Sequence, residues 1–476
     1  MPKGDAEPLH RRSATELARL VRAKAASPVE IVKAHLAAVD RYNSSVNAIC
    51  TVADSALVEA RRAEDAVMRG EPIGSLHGVP VGIKDVTPTA GIRTTYGSPL
   101  FAEHVPRQDA VVVTRLKAAG AIVLGKTNTP EFATGANTVN PVFGATRNPW
   151  NPALSAGGST GGGAAALACG MIALAEGTDF GGSLRVPAAF CGTVGLRPTA
   201  GLVPGHPVPL PWDPGRVHGP MARTAIDTAL MLDAMVGLSD LSPISVVPPW
   251  QDVAASAAAT ADASGGRLAY VPDIAGVGID PEIERICRTT AYGLADAGAL
   301  VEEPTFDLSD GRDAYVTLRG AWMAAQYHER LSLLDRFGPN LQSNIKAGLA
   351  LTVERVAAAE TKRAELWHRC RALFERFDLL LTATVPVPPF PVEQNYPDVI
   401  GGKPMATYID WIAPTFLVTL CGLPACSVPC GRTSGDMPIG LQIVGPRFSE
   451  PRILGLAKLI QDMRPLRWPP LLDSHA

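Results

Sequence analysis

Residues 155–199 read SAGGSTGGGAAALACGMIALAEGTDFGGSLRVPAAFCGTVGLRPT, and this stretch sets the fold class. A glycine loop runs into a helix of small residues. The run MIALAEGTDF follows as a strand, and a second glycine loop leads into a compact stretch punctuated by proline and glycine. Upstream, DAVVVTRLKAAGAIVLGKTN (109–128) repeats the theme. Its helix carries Val112, Leu116 and Ala119 on one face, and AIVLG is its strand. LHGVPVGIKD (76–85) reads as a buried strand ending in Lys84–Asp85. Strands interleaved with helices predict a single α/β/α domain on a mixed, twisted sheet, with helices on both faces.

Residues 1–70 are expected to hold two or three helices packed on this core. SATELARLVRA opens with a capping-box pattern, and SPVEIVKAHLAAVDRY begins with Ser27 as N-cap and Pro28 at the first helical position. Residues 71–476 form the main domain. Residues 206–219 (HPVPLPWDPGRVHG) carry too much proline for regular structure and read as a surface loop. ARTAIDTALMLDAMVG reads as a helix, and the small polar stretch 253–266 as a linker-like loop. RLAYVPD reads as a strand. A helical segment within 311–400 is expected to shape the substrate pocket. FDLLLTATVP and ACSVPCG read as returning strands and LGLAKLIQDM as the last helix. No repeat of 20–50 residues is visible.

Composition removes whole classes of function. With 476 residues, 46% hydrophobic and 19% charged, the chain is neither disordered nor fibrous. A net charge of −3 offers no basic excess for phosphates, so nucleic acid is excluded as a partner. No apolar run approaches the ~18–20 residues of a membrane span. The polar N-terminus has no signal core, which predicts a cytoplasmic protein. Of eight cysteines, Cys421, Cys426 and Cys430 cluster, but not at zinc-site spacing and without a histidine pair. They read as small buried thiols, and no metal site is expected.

Two serines are bracketed by glycine, Ser159 in GGSTGGG and Ser183 in DFGGSLR. Glycines let backbone N–H groups approach a substrate, as a developing oxyanion requires. A serine hydroxyl also needs a base. None of the nine histidines lies in an evident catalytic setting, and His77 and His218 read as structural. Lys84 stands out because it ends an apolar strand, where desolvation would make it a neutral base near pH 7. Its ordinary alternative is a strand-end lysine paired with Asp85. GGSTG fits the G-x-S-x-G elbow in letters only, because the proline-rich segment before it is no strand. Neither glycine block is a P-loop.

These residues resemble the amidase signature family. Its glycine–serine block appears as Gly157 to Gly162, its downstream block as Gly177 to Ala188, and its G-x-K-D as Gly82 to Asp85. The order Lys, Ser, Ser, spaced by 75 and then 24 residues, matches as well. So do GLRPT, GPMART and GLPACSVP, and the likeness runs over roughly residues 10–465. The resemblance implies a Ser–cis-Ser–Lys triad: Ser183 as nucleophile, Ser159 as bridge and Lys84 as base. It places the oxyanion hole on the N–H groups of Phe180, Gly181, Gly182 and Ser183, with Asp179 and Arg185 in support. Thr160 departs from the usual second serine, and its methyl is expected to narrow the acyl side of the pocket.

The implied reaction is hydrolysis of a carboxamide C–N bond in a small-molecule substrate, without metal or organic cofactor, by a homodimer. Trp212, Tyr315 and Trp322 are the candidate pocket residues, and an apolar pocket would favour aryl or alkyl amides, anilides or carbamates. The alternative within the family is the glutamine-hydrolysing component of a tRNA-dependent amidotransferase complex. There Asp410 would hold the glutamine amino group.

Overall fold

The computed structural model describes residues 7–473. His475, and the outermost ends of the expected segments 1–70 and 71–476, lie outside the described residues. Apolar and β-branched runs build an eleven-stranded sheet. In chain order its strands are β1 (Ile49–Val52), β2 (Pro80–Lys84), β3 (Ile122–Thr127), β4 (Leu174–Asp179), β5 (Val194–Arg197) and β6 (Val217–Ala222). They continue as β7 (Arg267–Tyr270), β8 (Leu300–Glu302), β9 (Leu379–Ala383), β10 (Ala425–Arg432) and β11 (Pro438–Val444). The spatial order is β1-β3-β2-β4-β6-β5-β10-β11-β9-β7-β8.

The sheet is mixed, as the sequence predicts. β2 runs parallel to β3 and β4, and β7 parallel to β8 and β9. The remaining pairs, β1–β3, β4–β6, β5–β6, β5–β10, β10–β11 and β9–β11, are antiparallel. Every residue of β2, β3, β4, β5, β6, β9 and β11 is buried, which requires cover on both faces.

Several boundaries differ from the sequence reading. Helices Ala14–Arg22, Pro28–Val46 and Ala56–Arg69 form as expected, but β1 lies between the last two and joins the sheet. Its four residues are too few for periodicity to register. Half of the expected linker 253–266 is the helix Val253–Ala259, with Val253 and Ala257 buried. Its alanines allow close packing between the helices Ala225–Met235 and Glu450–Met463. Within 206–219, residues 217–219 belong to β6, which the prolines before them obscured. The helical segment comprises Arg312–Gln326, Pro339–Leu349 and Val353–Phe374, and beyond residue 377 the chain re-enters the sheet as β9. β5, β8 and β11 and the short helix Arg185–Cys191 were not read from the sequence.

Parallel neighbours β2 and β4 deliver their C-terminal ends to the same edge, so Lys84 lies alongside the residues just before Asp179 and the glycine loop that follows it. β6 returns antiparallel to β4, with Val217 opposite Asp179.

Far from the sheet edge, Ser27 and Glu30 form a reciprocal capping box at 3.0 and 2.8 Å. Ser27→Ala is expected to cost about 1 kcal/mol, read as a lower midpoint in denaturant unfolding with an unchanged slope.

Candidate active site

Lys84 is fully buried at the end of β2. Its Nζ lies within hydrogen-bond distance of three hydroxyls: Ser159 Oγ at 2.6 Å, Thr160 Oγ1 at 3.0 Å and Thr178 Oγ1 at 3.1 Å. No carboxylate of a described residue touches it. Burial therefore lowers its pKa to about 7, with the more distant Glu176 opposing the shift and the Arg216 charge reinforcing it. Asp85, the ordinary partner considered for it, is turned away. Its carboxylate accepts from the Thr95 backbone N–H and hydroxyl.

The Gly158–Ser159 peptide bond is cis. Thr160 N donates to Ser183 O at 3.1 Å, which ties the two glycine–serine blocks together. Ser159 and Ser183 both line one cavity of about 320 Å³. Ser159 is buried, whereas Ser183 is partly exposed and its hydroxyl makes no hydrogen bond to a described residue.

The loop 180–183 is oriented from behind. Tyr315 Oη donates to Phe180 O (3.1 Å) and Thr415 Oγ1 to Gly181 O (2.7 Å). In a planar trans peptide the N–H points opposite the C=O, so the Tyr315 contact turns the Gly181 N–H away from Tyr315. Glycine is required twice here. A Cβ at Gly181 would lie 2.5 Å from Tyr315 Oη, and at Gly182, with φ +123°, 2.2 Å from Thr415 Oγ1. One expected donor is corrected. The Gly182 N–H is spent on Asp179 Oδ1 at 3.0 Å, because the carboxylate that ends β4 folds back under the loop. The N–H groups of Phe180, Gly181 and Ser183 carry no such bond to a described residue.

Asp179 anchors this turn. It also accepts from Leu184 N (3.2 Å) and from Arg185 Nε and Nη2 (3.1 and 2.9 Å), with Arg197 Nη1 at 3.4 Å. Burial alone would raise its pKa, but the two guanidiniums outweigh it and hold the carboxyl at about 2. Arg185 spends its remaining donors on Thr415 O, Gln442 Oε1 and Thr419 Oγ1.

Beside Lys84 lies a second buried cluster that sequence reasoning missed. Glu176 accepts from the Lys84 backbone N–H (3.3 Å), the Thr87 hydroxyl (3.2 Å) and His218 Nδ1 (2.7 Å). Burial would raise the Glu176 pKa, yet the His218 contact holds it below the ordinary range. A glutamate inside an apolar strand was the available signal. Lys126, in β3, is likewise buried and donates to Thr87 O and Thr89 Oγ1. Burial lowers its pKa to about 8.

The pocket residues divide. Trp322 lines the cavity and stacks on Phe180, with centroids 4.2 Å apart. Tyr315 lines it too, besides holding the loop. Trp212 is a correction. It is 74% exposed, because the proline turns around it face outward, and the loop instead contributes Pro207, Val208 and Pro209. Thr160 is a second correction. Its methyl sits against Gly163 and Gly177, inside the fold, and narrows no pocket wall.

A family model described as Amidase matches residues 30–454. The chain belongs to the amidase signature family. An acylamidase of Rhodococcus erythropolis is 34% identical over 470 residues, covering 96% of each chain. The A component of the glutamyl-tRNA(Gln) amidotransferase of Alkaliphilus metalliredigens is 35% identical over 456 residues, covering 90% of this chain and 91% of its own. The crystal structure of a bacterial aryl acylamidase of this family superposes with a TM-score of 0.89 at 29% identity, covering 99% of both chains. The protein is therefore a hydrolase of amide C–N bonds. Among the described residues no helix is long and apolar enough to cross a membrane, and no cluster of His, Cys, Asp and Glu could hold a metal ion.

The Asp179–Arg185 pair makes a stability prediction for this amidase. Arg185→Met leaves a buried carboxylate short of its main partner, so the variant is expected to lose about 3–5 kcal/mol in denaturant unfolding.

Proposed function

We propose that the amidase hydrolyses an aryl or alkyl amide, a class that includes anilides and carbamates, through an acyl-enzyme on Ser183. Ser183 Oγ attacks the carbonyl and passes its proton to Ser159, which passes its own to neutral Lys84. The N–H groups of Phe180, Gly181 and Ser183 receive the oxyanion. The C–N bond breaks as the proton returns along the relay to the leaving nitrogen. Water then attacks the acyl carbon, giving up its proton along the same route, and releases the acid and Ser183.

The observation that carries this reading is the 2.6 Å contact between the buried Lys84 amine and Ser159, in the wall that also bears Ser183. Support for an aromatic or apolar substrate comes from the cavity lining, where Phe132, Phe180 and Trp322 contribute rings. The aryl acylamidase neighbour favours the same class.

The amidotransferase reading rests on the similar amidotransferase components and on Asp410. That carboxylate is already committed: it is buried, paired with Arg312 and bonded to Thr407 N at 2.8 Å. A glutamine amino group would have to displace the arginine, so direct hydrolysis of simple amides is favoured.

Ser183→Ala is expected to lower turnover of a para-nitroanilide by about 10³-fold or more while leaving the fold intact. Mass spectrometry of the wild type during turnover should find the acyl adduct on Ser183, and undiminished turnover by the alanine variant would refute the assignment. The Lys84 amine must be neutral to accept a proton. Activity is therefore expected to be low in acid and to rise with pH through about 7. A pH profile of kcat/KM checks this, and a profile flat from about pH 5 to 9 would be incompatible with the relay.

A further inference from the structure

The catalytic cavity has a charge character that hydrolysis of a neutral amide does not use. Its walls carry three guanidiniums, Arg216, Arg319 and Arg330, and no aspartate or glutamate, in a chain whose net charge is −3. Two of the three are accounted for. Arg319 donates to Asn344 Oδ1 (3.0 Å) and Tyr408 Oη (2.9 Å) and lies over the Phe180 ring. Arg330 is exposed, with its guanidinium 5.4 Å from the Phe101 ring centroid.

Arg216 is different. It is half-buried, and its guanidinium makes no hydrogen bond or ion pair with any described residue. The nearby carboxylate of Asp213 accepts from the backbone N–H groups of Gly215 (3.0 Å) and Arg216 (3.3 Å), not from the guanidinium. The backbone sets the position closely. Val217 pairs with Asp179, so Arg216 begins beyond the end of β4, beside the loop 180–183. Gly215 packs so tightly on Phe180 that a Cβ there would lie 2.6 Å from the ring. Burial lowers the pKa of the Arg216 guanidinium, opposed by its ionisable neighbours Tyr327, Glu176, Tyr96 and Asp213, and the two tyrosines line the same cavity.

We propose that Arg216 is a specificity residue for an anionic substrate, its guanidinium binding a carboxylate carried on the acyl or the amine portion of the amide. A half-buried guanidinium with no protein partner at a cavity wall has given up part of its hydration, and a carboxylate satisfies two of its donors at once. The inference deepens the amidase reading and rests on it for the identity of the reaction.

The test measures kcat/KM for matched charged and neutral substrates. On the acyl side these are the para-nitroanilides of succinate and butyrate, and on the amine side para-acetamidobenzoate and para-methylacetanilide. The charged-to-neutral ratio is expected to fall at least about tenfold in Arg216→Leu in one series, and to recover in part in Arg216→Lys. Reading the ratio removes any effect of the lost charge on Lys84, which acts on both substrates alike. Trp212→Ala should leave the ratio unchanged. A ratio unmoved in both series overturns the proposal.

A second arm does not depend on turnover. Succinate and benzoate are titrated calorimetrically into Ser183→Ala protein with and without Arg216→Leu. At least about tenfold weaker binding of one of them without the arginine supports the subsite, and equal or absent binding in both proteins overturns it. Hydrolysis that survives Ser183→Ala would sink the amidase mechanism instead, while the carboxylate titration still judges Arg216.

Discussion

A lysine amine surrounded only by hydroxyls governs this site. Lys84 Nζ is sealed from solvent, and among the described residues no carboxylate stands against it to compensate a positive charge. The protonated form is thus penalised by the fold itself, and burial brings the pKa of the amine down to about 7. Such burial is possible because β2 lies between β3 and β4, where a polar strand-end residue has no route to the surface. Glu176 moderates the effect from a distance. Its contacts with His218 and Thr87 absorb its own charge and keep it from pairing with the amine.

The second constraint is the turn after β4. A glycine-rich loop has no intrinsic reason to point its N–H groups at one place. Here Asp179 pulls the Gly182 and Leu184 N–H groups downward, while Tyr315 and Thr415 fix the Phe180 and Gly181 carbonyls from the far side. The guanidiniums of Arg185 and Arg197 keep Asp179 ionised, and Arg185 in turn ties it to Thr415, Thr419 and Gln442. One buried charge network therefore spans β4, the helix Ala413–Leu420 and β11. It holds the loop in the form a transition state would meet already built.

Around this centre the walls differ in kind. Much of them comes from the loop 206–216 and the helix Arg312–Gln326, which lie outside the strands of the sheet. An acylamidase and a component of an amidotransferase are similarly close in sequence to this chain. That is understandable if the sheet and its two glycine turns supply the bond-breaking chemistry and the surrounding segments supply the choice of substrate.

Sequence alone determined the α/β class, the positions of Lys84, Ser159 and Ser183, and the need for glycine around both serines. Those features are local, fixed by apolar runs, by spacing and by residues that backbone geometry demands. What it could not decide depended on contacts between distant segments. β1 and β8 are too short to show a period, and β6 lay behind a run of prolines. Nothing in the letters said that the Gly182 N–H would face Asp179, that Trp212 would face solvent, or that the Thr160 methyl would turn inward. His218 became part of a buried pair only because β6 returns beside β4. Only tertiary structure leaves Arg216 without a partner at the cavity wall, because pairing depends on which side chains meet across the sheet, and no stretch of neighbouring residues encodes that.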